Sequence, residues 1–157
     1  MKDLIYDLRI YLIKRKDDIF IKVNRLIHEN LYKGRVPTYV FDIFKGENTL
    51  VGTCCLRIGY NSEVYYSSNV EIEIFERYKN NNYEYKVFSL LIEVAKEHLM
   101  DYFLLACNIS DLYSQEIFEK AGCRYLGIEK IPVYLNAYSE KNPEKCIYKL
   151  RFSWLEG

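Results

Sequence analysis

The chain reads as an α/β domain on a mixed β-sheet with helices on both faces, and three features of the sequence carry that reading. A strand–helix–strand passage runs from Val70 to Cys107, and two strands joined through one helix need a crossover that sets them parallel. Before it, two strand-like runs flank Lys45-Gly46-Glu47-Asn48, which makes an antiparallel hairpin. After it, a second helix leads into two more strand-like runs.

Taken in order, Leu4 to Leu12 reads as a first strand. Asp17 to Glu29 spaces Ile19, Phe20, Val23, Leu26 and Ile27 along one helix face, with Asp17 and Asp18 suited to the first turn, so the chain is expected to open with a β-α unit. Thr38 to Phe44 alternates Tyr39, Phe41 and Ile43 with Val40, Asp42 and Phe44, and Thr49 to Ile58 is its hairpin partner. In Val70 to Phe75, one face carries Val70, Ile72 and Ile74 and the other Glu71, Glu73 and Phe75. Tyr83, Val87, Leu90, Leu91, Val94, Ala95 and Leu99 recur at helical spacing, predicting a helix from about Asn82 to His98. Asn81 or Asn82 would cap it, and Glu84 complements its dipole. Tyr102 to Cys107 is nearly all apolar, as a strand buried on both faces should be. Asp111 caps a helix from Leu112 to Ala121, Gly122 suits a left-handed terminator, and the strands Arg124 to Val133 and Lys145 to Phe152 follow.

At 157 residues with no internal repeat or Pro/Gly/Ser linker, the chain is expected to form one domain, residues 1–157, that buries roughly 68–70% of its unfolded surface. Lys plus Arg and Asp plus Glu balance at 22 each, which argues against nucleic acid, membrane or a strongly acidic partner. The five cysteines, Cys54, Cys55, Cys107, Cys123 and Cys146, include no Cys-x-x-Cys pair, and His28 and His98 stand alone, so no metal site is expected. Most of these cysteines fall in apolar runs, as buried free thiols of a reducing cytosol do, while Met1 to Leu12 has too many charges for a signal peptide; the expected location is cytoplasmic.

The order VEIEIF, ERYKNNN, the apolar-faced segment to Leu99, YFLLACN and DLYSQEIFEKAGC resembles the acyl-CoA-binding core of the GNAT superfamily of N-acyltransferases. VGTCCLRIGY and the terminal KCIYKLRF extend the resemblance over most of the chain. It implies two splayed central parallel strands, Val70–Phe75 and Tyr102–Cys107, with acetyl-CoA or a related acyl-CoA between them, and transfer of the acyl group to an amine. In such enzymes, a turn of the type Arg-Gly-x-Gly-x-Ala and the helix after it hold the pyrophosphate of coenzyme A. The aligned turn here is Lys79-Asn80-Asn81-Asn82-Tyr83-Glu84, without glycine. Asn80 and Asn82 tolerate positive φ and could keep the glycine conformation, whereas Glu84 puts a carboxylate where the phosphates are expected.

The resemblance assigns roles to further residues. Ile74 and Phe75 at the strand end join the coenzyme A contacts, together with Asn108, Asp111 and Ser114; Asp111 stands where the bacterial branch of GNAT proteins that the chain resembles has Asn, and Asn108 can supply the lost amide. Glu73 matches the family's acidic strand position and would take the proton from the attacking amine; a merely solvated strand face is the alternative for it and for Glu71. The position of the family's thiolate-protonating Tyr is Phe118, so Tyr113, one turn earlier, is the substitute. For Lys79, Asn81 and Asn82 the alternative is an ordinary helix cap, and for Tyr113 and Ser114 it is helix-terminal bonding. His28 and His98 complement helix ends, and Tyr60, Tyr65 and Tyr66, in a loop-like insert, either line an acceptor pocket or cover the sheet. The acceptor is a small-molecule or peptide amine. A GNAT-fold binding module without chemistry and a tyrosine-mediated homodimer are the competing readings.

Overall fold

The computed structural model describes residues 13–153, so the strand expected at Leu4 to Leu12 lies outside the described residues. Five strands, β1 (Ile13–Lys16), β2 (Ile19–Ile27), β3 (Thr38–Lys45), β4 (Thr49–Arg57) and β5 (Val70–Ile74), form an antiparallel sheet in sequential order. Three more, β6 (Tyr102–Asn108), β7 (Arg124–Lys130) and β8 (Glu144–Arg151), form a second antiparallel sheet in the order β6-β8-β7. Helices α1 (Ser62–Ser67), α2 (Tyr83–Glu97) and α3 (Leu112–Lys120) complete the α/β domain. Helix α2 packs on β1, β2 and β5, and α1 packs on β6 and β8.

The segment expected as an opening helix is strand β2. Ile19 and Ile21 are fully buried and face the core, while Lys22 stays exposed. The same residues offer an apolar stripe at helical spacing and an alternation at period two, and the β-branched side chains together with a free edge on β3 decide for the strand. Asp17 and Asp18 form the two-residue turn between Lys16 and Ile19, with Asp17 at φ 57°. Lys86 on α2 holds that turn through Asp17 (3.5 Å) and Asp18 (3.3 Å), and this pairing lowers the Asp18 pKa. His28 accordingly follows a strand and complements no helix end.

The hairpin β3–β4 forms as expected, with Tyr39, Phe41 and Ile43 fully buried. The insert before β5 is partly helical, because Asn61 caps α1 by accepting from Val64 N at 2.9 Å. Its tyrosines cover structure: Tyr60 stacks on Tyr102 at 4.3 Å and donates to the Tyr102 carbonyl, and Tyr65 donates to Glu129. At the other helices, Asp111 caps α3 by accepting from Ser114 N, and Gly122 takes φ 88°.

The mixed sheet of the sequence reading is realised as two antiparallel sheets that meet at one point. Asn69 N–H donates to Leu104 O at 2.8 Å, and the Asn69 side-chain oxygen accepts from Leu104 N–H at 2.8 Å. The side-chain amide of Asn69 donates to Arg57 O (3.0 Å) and Gly59 O (2.9 Å). Beyond this rung Val70–Ile72 and Ala106–Asn108 flank one cleft, and β5 and β6 share no second backbone bond among the described residues.

Asn69 is fully buried, and Asn69→Ala would strand Leu104 N–H and two carbonyls. Each orphaned group costs about 1–3 kcal/mol, so urea denaturation should show a loss of at least about 3 kcal/mol. A second prediction concerns His98, whose Nε2 lies 3.0 Å from the Tyr39 hydroxyl and whose pKa burial holds below the ordinary 6.5. The neutral ring is the favoured folded form, so this contribution is complete above pH 6.5 and is lost as pH falls through the folded pKa. Denaturation midpoints measured across that range should fall on acidification, and His98→Gln should flatten the fall.

Candidate active site

Where β5 and β6 part, each presents an unpaired edge. In an antiparallel ladder, hydrogen-bonded and non-bonded pairs alternate. Phe75 N–H donates to Val51 O and Arg57 N–H to Asn69 O, so Glu71 and Glu73 bond to β4 while the peptide groups of Ile72 and Ile74 point away from it. Ser68 donates its hydroxyl to the Val70 carbonyl at 2.8 Å and satisfies the first group of that edge. Ile72 is the first whose amide opens onto the cleft. Gly52 makes the ladder close enough for this: a Cβ there would sit 2.2 Å from the Glu73 carbonyl oxygen.

The cleft has a volume of about 280 Å³. Ile72 and Glu71 line one wall, Ala106, Cys107 and Asn108 the other, and Asp111, Ser114 and Phe118 of α3 close one end with Glu84 and Phe88 of α2. Phe118 is held edge-on to Phe88 (6.3 Å) and Tyr148 (5.1 Å), which makes it a rigid apolar surface. Asp111 accepts from both the amide and the hydroxyl of Ser114, the latter at 2.7 Å, so the cap also orients Ser114. Lys145, which sequence reasoning did not single out, borders the same cleft because β8 pairs it with Asn108.

On the other side of β5 an open hollow of about 350 Å³ is lined by Val40, Thr53, Cys55, Glu71, Ile72 and Glu73. Glu71 and Ile72 belong to both spaces, which therefore meet across the strand edge. Glu71 is tied to Arg57 at 2.6 Å and accepts from Cys55, whereas Glu73 is exposed and without an ion-pair partner among the described residues. Burial, with the Glu71 carboxylate beside it, raises the Cys55 thiol to about 11.

The turn before α2 has the backbone expected of it. Asn80 (φ 68°) and Asn82 (φ 62°) both occupy the left-handed region that glycine would otherwise supply. Asn82 is the N-cap residue of α2, but neither its side chain nor that of Asn81 bonds to the first turn, contrary to the sequence reading. An N-cap side chain reaches the first-turn amides from an extended backbone, which the left-handed Asn82 lacks, and Asn81 instead donates to the Tyr78 and Lys79 carbonyls. A smaller hollow of about 110 Å³ lies against this turn, lined by Asn80, Asn82, Glu84, Tyr113, Glu116 and Lys120 among others. Glu84 is only 5% exposed, lines both this hollow and the main cleft, and accepts a hydrogen bond from Tyr113. Burial, reinforced by that carboxylate, raises the Tyr113 pKa strongly.

Of the residues named from sequence, Glu84, Asn108, Asp111 and Ser114 thus meet at the main cleft, while Asn80, Asn82 and Tyr113 gather at the small hollow and Glu73 at the outer one. Ile74, Phe75, Lys79, Asn81 and Tyr83 line none of them: Ile74 and Tyr83 are core, Phe75 bonds to β4, and Lys79 lies over the Tyr113 ring at 4.8 Å.

By sequence the chain matches no protein-family model and no curated protein. By structure it superposes on RimL, the ribosomal L7/L12 α-N-protein acetyltransferase, in its complex with coenzyme A, with a TM-score of 0.63 over 90% of this chain and 98% of that one at 11% identity. A GNAT family acetyltransferase of Elizabethkingia anophelis with acetyl-CoA bound gives 0.60 over 87% and 100% at 14% identity. This chain has the GNAT fold. The microcin C7 self-immunity acetyltransferase MccE, in complex with acetyl-CoA and AMP, gives 0.56 at 14% identity over 73% of this chain, which spans 61% of MccE. Within the GNAT fold, the splayed strands β5 and β6 and the turn before α2 are the elements on which the sequence resemblance was built.

Because the β5 backbone passes so near Gly52, Gly52→Ala should push β5 away from β4 and loosen the ladder between them. Amide exchange at Glu73 and Phe75, whose N–H groups bond to β4, should accelerate in that variant while exchange in β7 and β8 stays unchanged.

Proposed function

We propose that the protein is an N-acyltransferase that takes an acyl group from acetyl-CoA or a related acyl thioester and delivers it to an amine. The observation that carries this reading is the cleft at the splay, where the unpaired Ile72 amide meets both the inner cleft and the carboxylate-lined outer hollow. That the fold's neighbours include proteins holding acetyl-CoA or coenzyme A supports the choice of donor.

The donor, when bound, supplies a carbonyl activated as a thioester. The Ile72 N–H is oriented to donate to its oxygen, where charge develops as the carbonyl carbon becomes tetrahedral, without backbone reorganisation. Along the inner cleft Asn108 offers its amide to the donor's arm and Ser114, whose hydroxyl proton goes to Asp111, offers its oxygen, while Phe118 and Phe88 supply apolar wall. The amine comes from the outer hollow. It is protonated at neutral pH, and Glu73, without an ion-pair partner among the described residues, is suited to accept that proton so that the nitrogen lone pair can form the new C–N bond. Glu71, tied to Arg57, orients the approach. The C–S bond then breaks, and the second proton that the acylated nitrogen must lose goes to the departing thiolate. Tyr113 is a poor relay for it, since its hydroxyl donates to Glu84 and its pKa is raised. The five free thiols suit a reducing compartment such as the cytosol.

The Glu84 carboxylate at the turn favours a second reading, a binding module of GNAT fold without coenzyme A chemistry. Thermal shift separates the two: acetyl-CoA at about 100 times its dissociation constant should raise native-state stability by about 2.7 kcal/mol. With an amine acceptor in hand, Glu73→Gln should lower turnover by about 10²–10⁴ with donor binding nearly unchanged. Unaltered turnover removes Glu73 from the mechanism, and no thermal shift favours the binding module.

A further inference from the structure

The two ends of the donor site differ in chemistry, and that difference bears on which part of an acyl thioester the protein recognises. At the turn, the small hollow holds the carboxylates of Glu84 and Glu116 against the single ammonium of Lys120. Lys120 is paired with Glu116 at 2.8 Å, and Lys79 is paired with Glu76 at 3.2 Å while lying over the Tyr113 ring. Both lysines at the turn thus already face a carboxylate of their own. Glu84 cannot swing clear without giving up its bond to Tyr113 and its buried place between the hollow and the cleft. Asn80 and Asn82 keep the left-handed backbone but add side chains to the hollow they line, where glycine would leave the peptide groups bare.

The inner cleft adds what the hollow lacks. Charged groups border it, Glu71, Glu84, Asp111 and Lys145, but between them it sets apolar walls, Ala106, Phe88 and Phe118, beside uncharged partners for amides and hydroxyls, the Ile72 peptide, Asn108 and Ser114. This suits the alternating amide and methylene arm of pantetheine and does not depend on any phosphate.

Resting on the donor reading above, we infer that Glu84, held by Tyr113, makes this protein recognise acyl thioesters through the pantetheine arm, with the diphosphate of coenzyme A contributing no affinity. The same arm is presented by acyl-CoA, by a carrier protein's 4′-phosphopantetheine and by free pantetheine thioesters. Specificity would then lie in the arm and the acyl group, and a carrier-borne acyl chain would be as good a donor as acyl-CoA.

Calorimetric titration of the full chain with coenzyme A, 4′-phosphopantetheine and pantetheine, at low and moderate salt, tests this. The three dissociation constants should agree within about threefold, a spread well under the tenfold that 1.4 kcal/mol represents. Glu84→Gln, which keeps the side chain's size and its bond to Tyr113, should tighten coenzyme A by about tenfold, most at low salt, and leave pantetheine unchanged. Wild-type binding of coenzyme A about tenfold or more tighter than pantetheine overturns the inference while leaving the acyltransferase reading intact. If none of the three binds, both fall.

Discussion

One buried asparagine side chain holds the two halves of this protein together. Asn69 bridges β4, the start of β5 and the middle of β6 with five hydrogen bonds from a fully buried position, and it lies at the apex of the splay. Had β5 and β6 zipped into a regular parallel ladder, the peptide groups of Ile72 and Ile74 would have been consumed by β6, as those of Glu71 and Glu73 are by β4. Because the junction is made once, at Asn69, through its backbone N–H and its side-chain oxygen, the strands are free to diverge. The cleft follows from that divergence.

The chemistry then depends on how the two faces of β5 are partitioned. Its inward side chains, Val70 and Ile74, are buried against α2, while its outward ones are carboxylates, and the peptide edge between them is open. A thioester on one side and an amine on the other can meet only along that edge. Arg57 commits Glu71 to structure by bonding at once to its carboxylate and to the Ser68 carbonyl, so the exposed Glu73 is left for proton transfer.

Electrostatics at the start of α2 work against the local geometry. The left-handed Asn80 and Asn82 and a helix N-terminus with no side-chain cap would together favour an anion. Glu84 supplies a carboxylate from within the chain, and the nearby lysines are bound to their own neighbours. A turn that has the shape of a phosphate site thus carries charge of the wrong sign for one.

Much of this was legible in the sequence for a specific reason. Apolar periodicity fixes α2, and alternation fixes β3, β4 and β5, because each of these elements buries one face and exposes the other. Asp111 and Gly122 mark the ends of α3 through backbone needs that few other residues meet, and the tolerance of Asn for positive φ anticipated Asn80 and Asn82. The sequence could not decide β2, whose residues satisfy a helical stripe and a strand alternation equally, until β3 offered an edge to pair with. Nor could it show that Asn69 would serve as the joint, that Glu84 would be buried under Tyr113, or that Lys145 would border the cleft. Those facts depend on residues 29 to 37 positions apart in the chain, brought together only in the tertiary structure, where the sheets meet, where α2 meets α3 and where β8 pairs with β6.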